Sequence, residues 1–300
     1  MGSPILKRLL GADAFTLGVV RACVHGVFLI FALASDFSAL GRLPATLLRP
    51  AGVMQLLPWA LYDWLLAPRP MVGLKVLLTA SLALGALGLW TRVTTKTSLV
   101  LVLFYQGLLR SLGHFNHDEM IAVYFLGVLA FAPCGDAFSL DSRRRAEPGA
   151  PAARWVYGYP VLLMQILLAW AYFSSALLKL RTAGLAYFSP DSLPTLAILH
   201  SLDNLHETQH RYAFLLPEYR AYTAAAVGLV LAWELLFPLA VVSKRARTPL
   251  LGFGVVFHVV TRYLLNVFFP FFLAMYVVFI DWTAVAERLR RRPERGRRPG

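Results

Sequence analysis

Apolar residues in this chain come in runs of about 20, the length an α-helix needs to cross the hydrocarbon core of a bilayer. Charge, Pro and Gly break them up. Eight such runs fall at 14–35, 71–90, 95–113, 119–138, 157–180, 221–242, 248–265 and 267–283. The last two are divided only by Tyr263 to Asn266, so they read as a tight helical hairpin or as one broken helix. The predicted fold is all-α, a polytopic membrane helix bundle of about eight transmembrane helices. Two longer segments, 36–70 and 181–220, mix Pro, Trp and Tyr with short apolar pieces, the pattern of interfacial or re-entrant helices lying over a site. Residues 141–156 read as a charged Pro- and Ala-rich linker without secondary structure. The organisation expected is a transmembrane domain over 1–285 and a basic cytoplasmic tail over 286–300.

Composition agrees with the lipid reading. The 300 residues are 58% hydrophobic and 15% charged, with a mean hydropathy of +0.61, beyond what a water-facing surface tolerates. A net charge of +13 raises the possibility of nucleic acid, but the basic residues cluster between apolar runs rather than along one face, and no groove-reading or base-stacking module is present. They report topology instead. With eight spans, 18 of the 29 basic residues fall on one side: Lys7 and Arg8, Arg92 and Lys96, Arg143 to Arg145 with Arg154, Lys244, Arg245 and Arg247, and the C-terminal arginines. The opposite side carries 8, so both termini are expected in the cytoplasm of a cell-membrane protein. Cys23 and Cys134 lie in or beside apolar runs and read as small core hydrophobes. The first run lacks a small-residue cleavage site and reads as a retained helix.

An ionisable group in hydrocarbon is expensive unless it is paired or hydrated, so each one is a candidate for function. These are Arg21 and His25, Lys75, Lys179, Glu234 and His258. Lys75 lies near a helix end and reads as snorkelling to the interface. Arg21 and His25, spaced i, i+4, read as a structural clamp that pairs with an acid such as Glu234. Tyr172, Ser175 and Lys179 align at spacings of three and four, a polar stripe leading to the ammonium. A desolvated Lys there can serve as a base, whereas a snorkelling one cannot. The outward turn His114-Phe115-Asn116-His117-Asp118-Glu119 reads either as a solvated helix cap or as part of a site on the side of Lys179. His258 lies on a helix that ends on that side. Finally, His206-Glu207-Thr208-Gln209-His210 is a literal HExxH, which on a helix presents two imidazoles to zinc with the Glu as base. A third ligand is needed, with Glu218 and Glu234 as options; the other reading is a polar interfacial segment.

These residues carry a resemblance to the membrane domain of the vitamin K-dependent gamma-carboxylase family, the HTTM domain. The segment LGALGLWTRVTTKTSLVLVLFYQGLLRSLGHFNHDEMIAVYFLGVLAF is similar to the family's second to fourth helices. Its Asn-Asn-His turn reads Phe115-Asn116-His117 here. The family's Gln-x(6)-Tyr-Phe-x(4)-Lys-Lys-Leu helix resembles Gln165 to Leu180, with Tyr172, Phe173, Lys179 and Leu180 retained and Leu178 in place of the first Lys. A later Phe-His pair is matched by Phe257-His258.

The resemblance implies that Lys179 is the base toward a reduced vitamin K-like quinone (menaquinol), with Asn116 and His117 beside the ring and His258, Tyr172, Ser175 and His114 lining the pocket. It implies O2 as co-reactant, epoxidase or carboxylase-like chemistry, and no metal. The family's carboxylases continue into a lumenal domain that grips a propeptide, so a short form without it is expected here, as in short bacterial members of the superfamily. The expected function is a lipid-quinol-oxidising membrane enzyme, with the bilayer and the lipid quinone as partners. Two alternatives stay open: a non-catalytic maturation or export partner of a secreted peptide, and a membrane zinc hydrolase using His206, Glu207 and His210.

Overall fold

The computed structural model describes residues 9–44, 47, 49–111, 113, 118–145, 153–203, 208–265 and 267–291, with backbone alone at 53, 203 and 208–212. Among them the chain is all helical, with no strand. The elements are α1 (Ala14–Ala34), α2 (Phe37–Leu40), α3 (Trp59–Leu65), α4 (Pro68–Leu87), α5 (Thr91–Ser111), α6 (Asp118–Ala130) and α7 (Leu140–Arg144). There follow α8 (Arg154–Ala183), α9 (Ser192–Asp203), α10 (Arg220–Leu236), α11 (Leu239–Val242), α12 (Lys244–Leu265), α13 (Pro270–Met275) and α14 (Trp282–Arg291). Short 3-10 turns at Gly52–Leu56, Gly184–Phe188, Thr208–Tyr219 and Tyr276–Phe279 link them.

Among the described residues, four helical segments are long and apolar enough to cross a membrane: α1, α4, α12, and α8 with its 3-10 continuation, Arg154–Phe188. A fifth is reached if the bent pair Pro270–Phe279 and Trp282–Arg291 makes one span. The other expected runs are helical but fall short for local reasons. The 119–138 run stops as α6 at Ala130, because Pro133 and Gly135 turn the chain. In the 221–242 run, α10 ends at Leu236 just before Pro238, which has no N–H to continue the ladder. α5 is long enough, but its first turns, TRVTTKTS, are polar. Large apolar side chains face outward on the spanning candidates, among them Ile30 and Leu33 of α1, Val76 of α4, Trp170 of α8 and Val256 of α12. That distribution is compatible with a membrane protein.

Within the segments 36–70 and 181–220, the described residues form short helices. The 141–156 linker is not wholly irregular: Ser139 caps the single turn of α7, its Oγ accepting from Ser142 N–H, and α8 has begun by Arg154.

The chain divides into two compact units. The first runs through Met164 and resumes at Ile280; the second is Gln165–Phe279. In the first, α1 packs on α4, α4 on α5, α5 on α6, and α6 returns to α1, closing a four-helix bundle around Leu17, Val24, Leu82, Val102 and Phe125. Its α4–α5 contact includes a hydrogen bond between Ser98 Oγ and Ser81 Oγ (3.3 Å), small polar residues of the kind that let helices approach in lipid. Helix ends are closed locally. Asp13 caps α1 by accepting from Thr16 N–H, and Gly88, at φ +71°, takes the left-handed position that ends α4. In the second unit, α9 packs on the 208–219 segment, α10 and α12, and α10 also meets α12.

Candidate functional site

The stripe on α8 keeps its sequence spacing and extends back to Gln165, so Gln165, Tyr172, Ser175 and Lys179 share one helical face. Within the second unit they reach the Tyr276–Phe279 turn, α12 and α10. Gln165 Nε2 donates to Val278 C=O at 2.7 Å, tying α8 to the Tyr276–Phe279 turn. Tyr172 Oη lies 2.7 Å from His258 Nε2 on α12 and 2.9 Å from Tyr276 Oη. Ser175 Oγ donates to Glu234 Oε1 at 3.3 Å, and Lys179 Nζ reaches the same oxygen at 2.5 Å. Glu234 projects from α10 and is 4% exposed, whereas Lys179 is 27% exposed. The Lys179 ammonium also stands 5.9 Å from the centroid of the Tyr187 ring.

An aromatic wall encloses this polar line. The Tyr172 ring packs on Phe237 at 4.3 Å, Trp233 at 4.7 Å and Phe272 at 5.3 Å between centroids. Phe257 and Phe269 flank His258 at 5.0 and 5.2 Å. Gly254, one turn before His258, makes room for this, because a Cβ there would run into the Tyr276 hydroxyl and the Trp233 ring.

Two buried atoms of the constellation have no hydrogen-bond partner among the described residues, His258 Nδ1 and Glu234 Oε2. Buried polar groups are normally satisfied, so these two stand out within the constellation. The hydroxyl chain has two self-consistent orientations. If Tyr172 donates to His258 Nε2, the ring carries its proton on Nδ1 and Tyr276 donates to Tyr172; if Nε2–H donates to Tyr172, Tyr172 donates to Tyr276 and Nδ1 accepts. The two orientations differ in which His258 nitrogen carries the proton.

Of the residues singled out in the sequence, the structure brings together Tyr172, Ser175, Lys179 and His258. Lys179 and Ser175 meet at Glu234, while Tyr172 and His258 meet each other. His114, Asn116 and His117 lie outside the described residues, as do His206 and Glu207; His210 has its backbone in the Thr208–Tyr219 turn. Among the described residues no three His, Cys, Asp or Glu side chains converge as a metal site would need. Tyr276 and Gln165 were not expected. Tyr276 sits in an apolar run where a hydroxyl leaves no periodic trace. Gln165, seven residues before Tyr172, was legible from the stripe itself.

The expected pairing of Arg21 and His25 with Glu234 is corrected, because Glu234 belongs to Lys179. Arg21, fully buried in the first unit, instead donates to Cys134 C=O (2.8 Å), Phe138 C=O (2.6 Å) and, at 3.4 Å, Ala86 C=O in the last turn of α4. The negative end of the α4 dipole and two loop carbonyls replace a carboxylate. His25 Nδ1 bonds the Arg21 carbonyl at 2.9 Å, a contact within α1 itself, so the hydrogen bonds to other elements come from Arg21. Lys75 closes the C-terminal end of α1, donating to Leu33 C=O (3.2 Å) and Ser35 C=O (2.7 Å). No protein-family model, curated protein or solved structure matches this chain.

Proposed function

We propose that this chain is a multi-pass cell-membrane enzyme that takes the hydroxyl proton of a lipid quinol at the Lys179–Glu234 pair, with eight spans and both termini in the cytoplasm. The observation that carries it is the half-buried Lys179–Glu234 pair, whose lysine shares an α8 face with Tyr172 of the Tyr172–His258–Tyr276 chain. A quinol needs flat apolar walls for its ring and polar atoms for its two oxygens. Trp233, Phe237 and Phe272 supply the walls, and His258 Nδ1 and Glu234 Oε2 are the orphan polar atoms. The fit is chemical as well. Glu234 Oε2 accepts the quinol proton, and the Lys179 ammonium stays beside the quinolate as its counter-charge. In the gamma-carboxylase membrane domain that the chain resembles, the matching lysine is the base; here Glu234 takes that part beside a charged Lys179, so the resemblance supports acid–base chemistry at this pair and implies O2 as the oxidant. Asn116 and His117 keep their role from that resemblance as neighbours of the ring.

The test is menaquinol consumption under O2 by the purified protein in lipid nanodiscs. Lys179→Ala and Glu234→Gln are each expected to slow it at least about 100-fold, the lower range for a lost acid–base group. Turnover equal to wild type in both variants would refute the reading and leave the pair as an interhelical clamp.

A further inference from the structure

α14 is the most amphipathic of the long helices among the described residues. At about 100° per residue, Trp282, Val285, Ala286 and Leu289 fall within one arc of about 100°, and Arg288 and Arg290 stand at its two edges. Glu287 and Arg291 occupy the opposite side, spaced i, i+4 with 3.9 Å between their charged groups. Residues 287–291 are all exposed, including Leu289 at 62%. An exposed leucine between three exposed arginines is a poor water-facing surface and a good headgroup-facing one.

The place of α14 in the first unit points the same way. Thr283 Oγ1 donates to Asp13 Oδ2 at 2.5 Å, and Asp13 is the residue that starts α1. α14 is therefore pinned where the apolar run of α1 begins, which is where a bilayer boundary must fall. Other basic residues gather at that end. Leu10 lies against Gly158 four residues beyond Arg154, Gly18 lies against Ala137, and Asp136 is bound by Arg145 at 3.0 Å and Tyr157 at 3.1 Å. Arg143, Arg144 and Arg145 are exposed there.

We infer that α14 is an anionic-lipid docking helix: its Trp282–Val285–Leu289 edge enters the headgroup boundary, and Arg288 and Arg290 at its two edges bind the phosphates of acidic phospholipids. The occupant is chosen by charge complementarity, since six or more arginines at one end of the unit call for a dense anionic surface. The inference rests on the membrane-embedded reading and not on quinol chemistry.

The test uses the full chain in nanodiscs of phosphatidylcholine alone or with 30% phosphatidylglycerol. A nitroxide is placed by Leu289→Cys or, as the opposite-face control, Glu287→Cys, both with Cys23→Ala and Cys134→Ala. With phosphatidylglycerol, the label at 289 is expected to be reached by oxygen in preference to a water-soluble nickel complex, and the label at 287 the reverse. Two labels equally open to the nickel complex would overturn the inference while leaving the membrane reading intact. Failure of the chain to enter discs would overturn both. As a second measurement with both native cysteines kept, phosphatidylglycerol retained by the wild type in native mass spectrometry is expected to be enriched severalfold over the disc composition. In Arg288→Gln/Arg290→Gln that enrichment disappears, each arginine being worth about a fivefold in affinity for an anionic surface. Equal retention by this variant would also overturn the inference.

Discussion

Removing the ammonium of Lys179 strands a carboxylate. In Lys179→Met, Glu234 keeps only the 3.3 Å bond from Ser175 and is 4% exposed. Breaking a buried ion pair from one side destabilises by about 3–5 kcal/mol. The lower end applies, because Lys179 itself is 27% exposed and water reaches that side of the pair. At about 3 °C per kcal/mol for a chain of this size, the unfolding midpoint should fall by about 9 °C. Glu234→Gln is milder, since the stranded ammonium can turn toward water; it should lose about 1–2 kcal/mol, in the range of a hydrogen bond to a charged group. The double variant Lys179→Met/Glu234→Gln strands neither charge and should recover to within about 1 kcal/mol of wild type. The coupling between the two sites is then about 3 kcal/mol. Thermal unfolding of detergent-solubilised protein, followed by loss of monodisperse elution, reads all four proteins. Strict additivity, with the double variant as damaged as the two singles combined, would refute the claim that these side chains neutralise each other.

Two further outcomes follow from the first unit. Arg21→Met strips the donors from Cys134 and Phe138 carbonyls, each worth about 1–3 kcal/mol when left unsatisfied, and should lower stability by about 3 kcal/mol, with Arg21→Lys in between. A midpoint change under 2 °C in the same unfolding assay would show that the clamp is dispensable. Asp141 lies outside the spans. Burial raises its pKa, but donation from Thr91 Oγ1 and N–H and from Trp90 N–H outweighs that and holds it below the usual carboxylate range. A lowered folded-state value means stability that is present above the unfolded value and is lost as pH falls below about 4. Asp141→Asn should therefore unfold at a lower midpoint at pH 7 and show a flatter profile from pH 5 to 3, measured by circular dichroism.

What the amino-acid sequence determined by itself was everything local. Apolar runs and the Tyr172–Ser175–Lys179 face depend on residues within a few positions of one another, and helical periodicity carries them directly. Pro133 and Pro238 were also in plain view, yet hydropathy averaged over a run hides where a helix stops, so eight apolar runs give four or five helices long and apolar enough to span. Partners were another matter. Glu234 was visible as a membrane acid in want of a base, but charge alone fits Arg21 as well as Lys179, and only packing within the second unit chose between them. The acceptors of Arg21 had no signature at all, because they are the backbone carbonyls of Cys134 and Phe138, more than 110 residues away, and every residue has a carbonyl. Tertiary structure decided which ones the guanidinium meets, since that depends on where the turn after α6 comes to rest against α1.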